Sequence, residues 1–178
     1  GENGSGKGEF VKIFIEISGN KEVIEYVKFS TLLAKTLYDW GLVVNRENLQ
    51  KLPVVMEAAF GKGCLTRAVH HQIRESKKEV IILDGIRWDT DVEMLQRFPH
   101  NIFLYITATP ENRYLRMKER KEKAGEAMMS WEQFQKEEAA ETEAMIPRLA
   151  KTADFCIENN GSKEDFRASI RKFFKDAN

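Results

Sequence analysis

The stretch "GENGSGKGEF", residues 1–10, decides how this chain is read. A flexible Gly/Ser leader would run on into more of the same, whereas here the apolar-rich segment Phe10–Ile17 follows at once. The other reading is a phosphate cradle. Gly1, Gly6 and Lys7 meet the pattern G-x-x-x-x-G-K, and Gly4 adds a further glycine. In such a loop, backbone N–H groups unobstructed by side chains converge on phosphate oxygens, the lysine ammonium reaches the outer phosphates, and the N-terminus of the following helix adds its dipole. Gly1, Asn3, Gly4, Ser5, Gly6, Lys7 and Gly8 are then the candidate phosphate-binding residues. Gly8 stands where a Ser or Thr usually helps to hold Mg²⁺, so a later carboxylate, the phosphates and water must hold the ion. The pattern also calls for a strand before the loop. None precedes Gly1, and the expectation is that the natural chain carries several more residues there, which supply a central parallel strand.

Bulk properties narrow the class. A chain of 178 residues with 42% apolar content can bury a sizeable core as one domain. Its 28 basic and 28 acidic side chains cancel, so no net field recruits nucleic acid or an anionic membrane, and anion binding has to be local. Cys64 and Cys156 form no C-x-x-C pair and suit a reducing cytoplasm. No apolar run reaches the ~18 residues of a membrane-spanning helix.

Helical and strand-like segments alternate, which predicts an α/β domain with a mostly parallel sheet. A helix follows the loop, "EVIEYVKFS" reads as a strand ending at Ser30, and "TLLAKTLYDWG" reads as a helix closed by Gly41. Two further helices span residues 45–63 and 64–78, the first broken near Pro53. "EVIILDGIR" is a buried strand that delivers Asp84 to the sheet edge, "NIFLYITATP" is a second, and "ADFCIENNG" is a last strand before a final helix. The charged stretch 111–151 reads as largely helical, with Ser130 as a cap and Gln133 in capping-box register.

In a parallel sheet the ligand lies beyond the C-terminal strand ends, where Ser30, Asp84, Arg87 and the Thr107–Pro110 corner gather. Asp84 is the candidate carboxylate for Mg²⁺ or its water. Arg87 can grip a phosphate bidentately. Arg113, Arg116 and Arg120 share one helix face, either as a solvated surface paired with Glu111 and Glu119 or as cations around a transferring phosphoryl group. His70 and His71 lack partner ligands for a metal, and Trp40 and Trp88 read as packing groups.

The segments "GENGSGKGEF", "EYVKFSTLL", "VNRENLQKL", "EVIILDGIRWDTDVEML", "NIFLYITATPENRYLRMKER" and "ADFCIENNGSKEDF" together resemble the P-loop nucleotide kinases, on the dephospho-CoA kinase-like and deoxynucleoside monophosphate kinase-like branches beside adenylate kinase. That resemblance implies a three-layer α/β/α fold in one domain over residues 1–178. It implies an acceptor-binding helical region at about 30–75 and a charged lid at about 113–148. It further implies ATP and Mg²⁺ as cofactors and Lys7, Asp84, Arg116 and Arg120 as catalytic residues. Ser30, Lys35 and Arg87 would lie at the acceptor, and Asn160 and Gly161 near the adenine. The expected activity is transfer of the ATP γ-phosphoryl to a (deoxy)nucleoside monophosphate in the cytoplasm, by a monomer or homodimer. The alternatives are transfer to the ribose 3′-hydroxyl of dephospho-CoA, or a nucleotide-binding module without turnover. The last rests on two departures: Glu9 near a position where relatives carry Thr or Ser, and Glu57 in a helix where relatives carry Arg.

Overall fold

The computed structural model describes residues 1–120 and 126–177. Helix α1 (Lys7–Ser18) follows the glycine loop and ends at Gly19. Strand β1 (Ile24–Lys28) leads into α2 (Phe29–Asp39), α3 (Arg46–Phe60) and α4 (Cys64–Glu75). Strand β2 (Val80–Asp84) is followed by α5 (Asp89–Leu95), and β3 (Leu104–Thr107) by α6 (Pro110–Arg120). Then come α7 (Trp131–Glu138), α8 (Glu141–Ala144), α9 (Ile146–Ala150), β4 (Phe155–Glu158) and α10 (Lys163–Asp176).

Among the described residues all strand pairing is parallel. β1 pairs with β2 from Ile24 opposite Val80 to Lys28 opposite Asp84, and β3 pairs with β4 from Leu104 opposite Phe155 to Thr107 opposite Glu158. Each pair has its own helical cover. Phe10, Val11 and Ile13 of α1 meet Phe166, Ile170 and Phe173 of α10 over Ile106 and Ile157, the α10 residues recurring at the spacing of one helix face. Val69 and Ile73 of α4 pack with Val27, Phe29 and Met94 over the other pair. Met117, Met129 and Phe134 form a small satellite core under α6 and α7.

Two boundaries differ from the sequence reading. The β1 strand stops at Lys28, because Phe29 is buried against Gly85 and opens α2, which places Ser30 in that helix's first turn. Helix α3 runs through Pro53 unbroken. Proline removes one N–H and frees the carbonyl four residues earlier, but Leu52 and Pro53 are both buried and α3 is held by α2 on one side and α4 on the other. The cap at Ser130 forms, its Oγ accepting from Gln133 N at 3.1 Å. The return half of the box does not, since Gln133 Nε2 donates to Glu137.

Among the described residues no strand pairs with the facing edges of β2 and β3. A groove of about 590 Å³ separates them, lined by Ile81, Leu83, Ile102, Leu104 and Phe173 among others. Gly1 sits at the far end of this groove, where a Cβ on it would overlap the carbonyl of Ile106. A segment entering the loop through the groove would therefore run parallel to both neighbours. Fusing a five-residue Val/Ile-rich segment directly before Gly1 is expected to raise the thermal midpoint by about 5 °C, read by calorimetry. An unchanged midpoint, or an equal gain from an Asn/Asp-rich segment, would contradict this use of the groove.

Candidate functional site

The loop's backbone orientation is fixed by donors on its carbonyl side. Lys7 Nζ donates to the carbonyls of Gly1 (2.9 Å) and Glu2 (2.7 Å). Arg113 Nη1 donates to Asn3 O at 3.4 Å, and Asn159 Nδ2 to Ser5 O at 2.9 Å. Across a trans peptide the following N–H points the opposite way, so tying down these four carbonyls turns the N–H groups of Glu2, Asn3, Gly4 and Gly6 away from the donors. Gly6 has φ +104°, and a Cβ there would meet Asn159 Nδ2 at 2.3 Å. A Cβ on Gly4 would meet the Arg113 carbonyl at 2.5 Å. Gly6 caps α1 with no side-chain hydrogen bond, so the first-turn N–H groups are left for a ligand. This cradle fits a polyphosphate.

Beside it, Asp84 ends β2 at 7% exposure and accepts from Tyr26 Oη at 2.6 Å. Burial pushes its carboxyl up, but the Lys7 ammonium, the Tyr26 hydrogen bond and Lys28 outweigh it and hold the group below the usual carboxylate range. Burial pulls the Lys7 ammonium down, and Asp84 opposes this only in part. Among the described residues no group of three or more His, Cys, Asp or Glu could hold a metal. Asp84, a hard oxygen donor lining the same cleft as the loop, fits Mg²⁺ held by one carboxylate together with phosphate oxygens and water.

The turn after Asp84 is organised by Asp91, which is wholly buried and accepts from Arg87 N (2.9 Å), Trp88 N (3.1 Å) and Thr66 Oγ1 (2.5 Å). This aims the Arg87 guanidinium at Glu143 of α8 and at the carbonyl of Thr142 (3.3 Å). A second guanidinium, that of Arg46 at the start of α3, reaches the same place at 8% exposure. Its Nε lies 2.6 Å from Glu137 and its Nη2 3.6 Å from Glu143. Arg46, Arg87 and the cradle line one cleft of about 550 Å³, with Ser30, Asp84, Arg116 and Arg120.

The candidate residues thus separate. Lys7, Asp84, Arg87, Ser30, Arg116 and Arg120 share the cleft, as do Asn3, Gly4, Gly6 and Gly8. Arg116 Nη1 is buried there without a hydrogen-bond partner, while its Nη2 lies 3.5 Å from Asn159 Oδ1. Lys35 stays outside, exposed and paired with Asp39. Asn160 accepts from Thr109 N at 2.8 Å on an exposed turn, with Gly161 beside it, away from the cleft lining. Gly1 and Ser5 underlie the loop. Arg113 belongs to neither reading given for it: at 6% exposure it bonds Ala108 O at 3.1 Å and Glu138, and so buttresses the loop. Arg46, Asp91, Asn159 and Glu143 escaped the sequence reading. Asn159 carried a signal, for it continues the inward alternation of Ile157 in β4.

Residues 1–135 match the AAA_17 family, described as an AAA domain. The chain is 25% identical over 177 residues to UPF0200 protein TK1334 of Thermococcus kodakarensis, covering 97% of this chain and 92% of that one. A UPF0200 protein of Staphylothermus marinus is 27% identical over 123 residues, covering 69% and 64% of the two chains. Among solved structures, TT1252 from Thermus thermophilus superposes with a TM-score of 0.62 at 19% identity, covering 98% of this chain and 93% of that one. Shikimate kinase from Acinetobacter baumannii, in complex with shikimate, superposes at 0.57 and 14%, covering 98% and 88%. The expected P-loop kinase fold is therefore borne out.

Two predictions test this geometry. Gly6→Ala is expected to lower ATP affinity at least about tenfold and to cost about 1–3 kcal/mol of stability. Gly8→Ala, with nothing within 4 Å of the new Cβ, is expected to keep affinity within about twofold. Equal effects in a fluorescent-nucleotide titration would contradict the cradle. Because the Asp84 pKa is depressed, its stabilisation is full above the unfolded value of about 3.9 and is lost as pH falls through the folded one. The stability advantage of the parent over Asp84→Asn should be constant above about pH 5 and close below about pH 4 in urea titrations. A pH-independent gap would refute the ionised, paired carboxylate.

Proposed function

This chain belongs to the AAA domain family, and from that premise we propose that it transfers the γ-phosphoryl of Mg·ATP to a (deoxy)nucleoside monophosphate. The observation that carries the reading is the single cleft in which the glycine cradle, Lys7 and Asp84 meet two converging guanidiniums, those of Arg46 and Arg87. The loop N–H groups and Lys7 hold the ATP phosphates, and Arg46 and Arg87 hold the acceptor phosphate. An acceptor oxygen attacks the γ-phosphorus in line, the bond to the β–γ bridging oxygen breaks, and ADP leaves. Such a reaction asks mainly for positioning and charge neutralisation. Asp84 would hold Mg²⁺ directly or through water, and the ion, when bound, offsets the charge on the β- and γ-oxygens. Arg116 and Arg120 neutralise from the side of α6. Residues of about 30–75 carry the acceptor side and the charged region at about 113–148, of which 121–125 lie outside the described residues, acts as a lid. The adenine is assigned to Asn160 and Gly161, on the turn after β4. ATP supply places the reaction in the cytoplasm, and no helix among the described residues is long and apolar enough to cross a membrane.

Two observations favour this reading over its rivals. Transfer to a ribose hydroxyl would ask Asp84 to act as a base, and its Oδ2 already accepts the Tyr26 hydroxyl at 2.6 Å. The two carboxylates that weighed against turnover are both paired, although Glu9 lines the cleft. Glu9 pairs with Lys163 at 2.7 Å, and Glu57 accepts from Gly63 N at 2.6 Å at the start of α4. The test is ADP release from Mg·ATP against a panel of nucleoside monophosphates and dephospho-CoA. One monophosphate is expected to stimulate release, Lys7→Ala to lower kcat/KM at least ~100-fold, and Arg46→Ala to raise the acceptor KM about tenfold. Stimulation by dephospho-CoA alone, or ATP binding with silence across the panel, would overturn the proposal.

A further inference from the structure

We propose that Glu143 is an intramolecular competitor for the acceptor's anionic group, so that an acceptor enters by exchanging its charge for this carboxylate. The inference rests on the acceptor role given above to Arg46 and Arg87. One carboxylate, 6% exposed, bridges two guanidiniums that come from different elements: Oε2 faces Arg87 Nη1 and Oε1 lies 3.6 Å from Arg46 Nη2. Glu137 lies 2.6 Å from Arg46 Nε. Two carboxylates thus balance two largely buried cations, and an unbalanced pair would be costly. The bridging position is the one a tetrahedral phosphate would take, with oxygens directed at both forks.

The segment that carries the plug is built for exchange. Helix α8 is four residues long, and Thr142 Oγ1 beside Glu143 is buried without a hydrogen-bond partner. The Glu143 carboxylate itself meets the two arginines, Arg87 and Arg46, while α8 packs on α3 and α7. Exchange sets a charge threshold. A monoanionic group replacing a carboxylate gains little, because the cations see the same charge before and after. A phosphate dianion brings a second charge and more acceptor oxygens to the two forks. Glu143 is therefore a specificity-determining residue that favours dianionic acceptors.

The test is calorimetric binding of nucleoside monophosphates, of their monoanionic methyl esters and of inorganic phosphate to the full chain and to Glu143→Gln. The variant should bind the monophosphates and phosphate about tenfold tighter and bring the methyl esters into measurable range. Adding Arg87→Ala should erase both gains. Unchanged or weaker binding by a folded variant would overturn the proposal and make Glu143 a residue that merely positions the arginines. If Glu143→Gln does not fold, cleavage of the parent after Glu143 by a glutamate-specific protease decides. Saturating monophosphate should accelerate it about fivefold by releasing the buried residue, and slower cleavage would overturn the exchange. ATP titration of the same samples separates the two claims. Loss of ATP binding in the parent counts against the proposed function, whereas intact ATP binding without a Glu143→Gln gain counts against Glu143 alone.

Discussion

The constraint on which this molecule depends is the direction of four carbonyl groups. Gly1, Glu2, Asn3 and Ser5 each give their carbonyl oxygen to a fixed donor, from Lys7, Arg113 or Asn159. A planar peptide leaves the next N–H no choice but to face the other way. The cradle is thus set before any phosphate arrives, and its cost is spread over the fold. Arg113 is anchored by Ala108 and Glu138, and Asn159 stands at the end of β4, one residue past the last rung with β3. Helix α1 continues from the loop into the Phe10, Phe166 and Phe173 cluster, which fixes its N-terminus in place.

Charge in the cleft is arranged in two tiers. At the floor, Lys7 and Asp84 perturb one another in a buried setting, the ammonium pulled down by burial and the carboxyl held low against it. At the acceptor end, Arg46 and Arg87 are balanced by Glu137 and Glu143. Within these two tiers cations and carboxylates are equal in number, and Arg116 and Arg120 add positive charge to the cleft beyond them. On the proposed reading, selectivity for an anion comes from exchange at this arginine pair.

What the sequence made legible follows from how local each signal is. The loop, the apolar run ending in Asp84 and the strand ending near Asn159 are contiguous patterns, and each holds in the fold. Arg46 and Glu143 were not legible, because 96 residues of chain lie between them and neither stands in a spaced motif. Their meeting is a product of α3 and α8 packing together. Lys35 misled for the opposite reason: its helix is near the cleft, but the side chain lies one turn from Asp39 and pairs with it outside. Pro53 misled because local propensity yielded to helices packed on both sides.

The central claim is that cradle and arginine pair are two halves of one phosphoryl-transfer cleft. A crystal structure with a bisubstrate analogue, two adenosines joined by five phosphates, tests it most directly. The account predicts phosphates running from the loop N–H groups and Lys7 to Arg46 and Arg87, with Glu143 displaced from both guanidiniums. Phosphates in the loop with Glu143 still bridging Arg46 and Arg87, and the second adenosine in solvent, would contradict it.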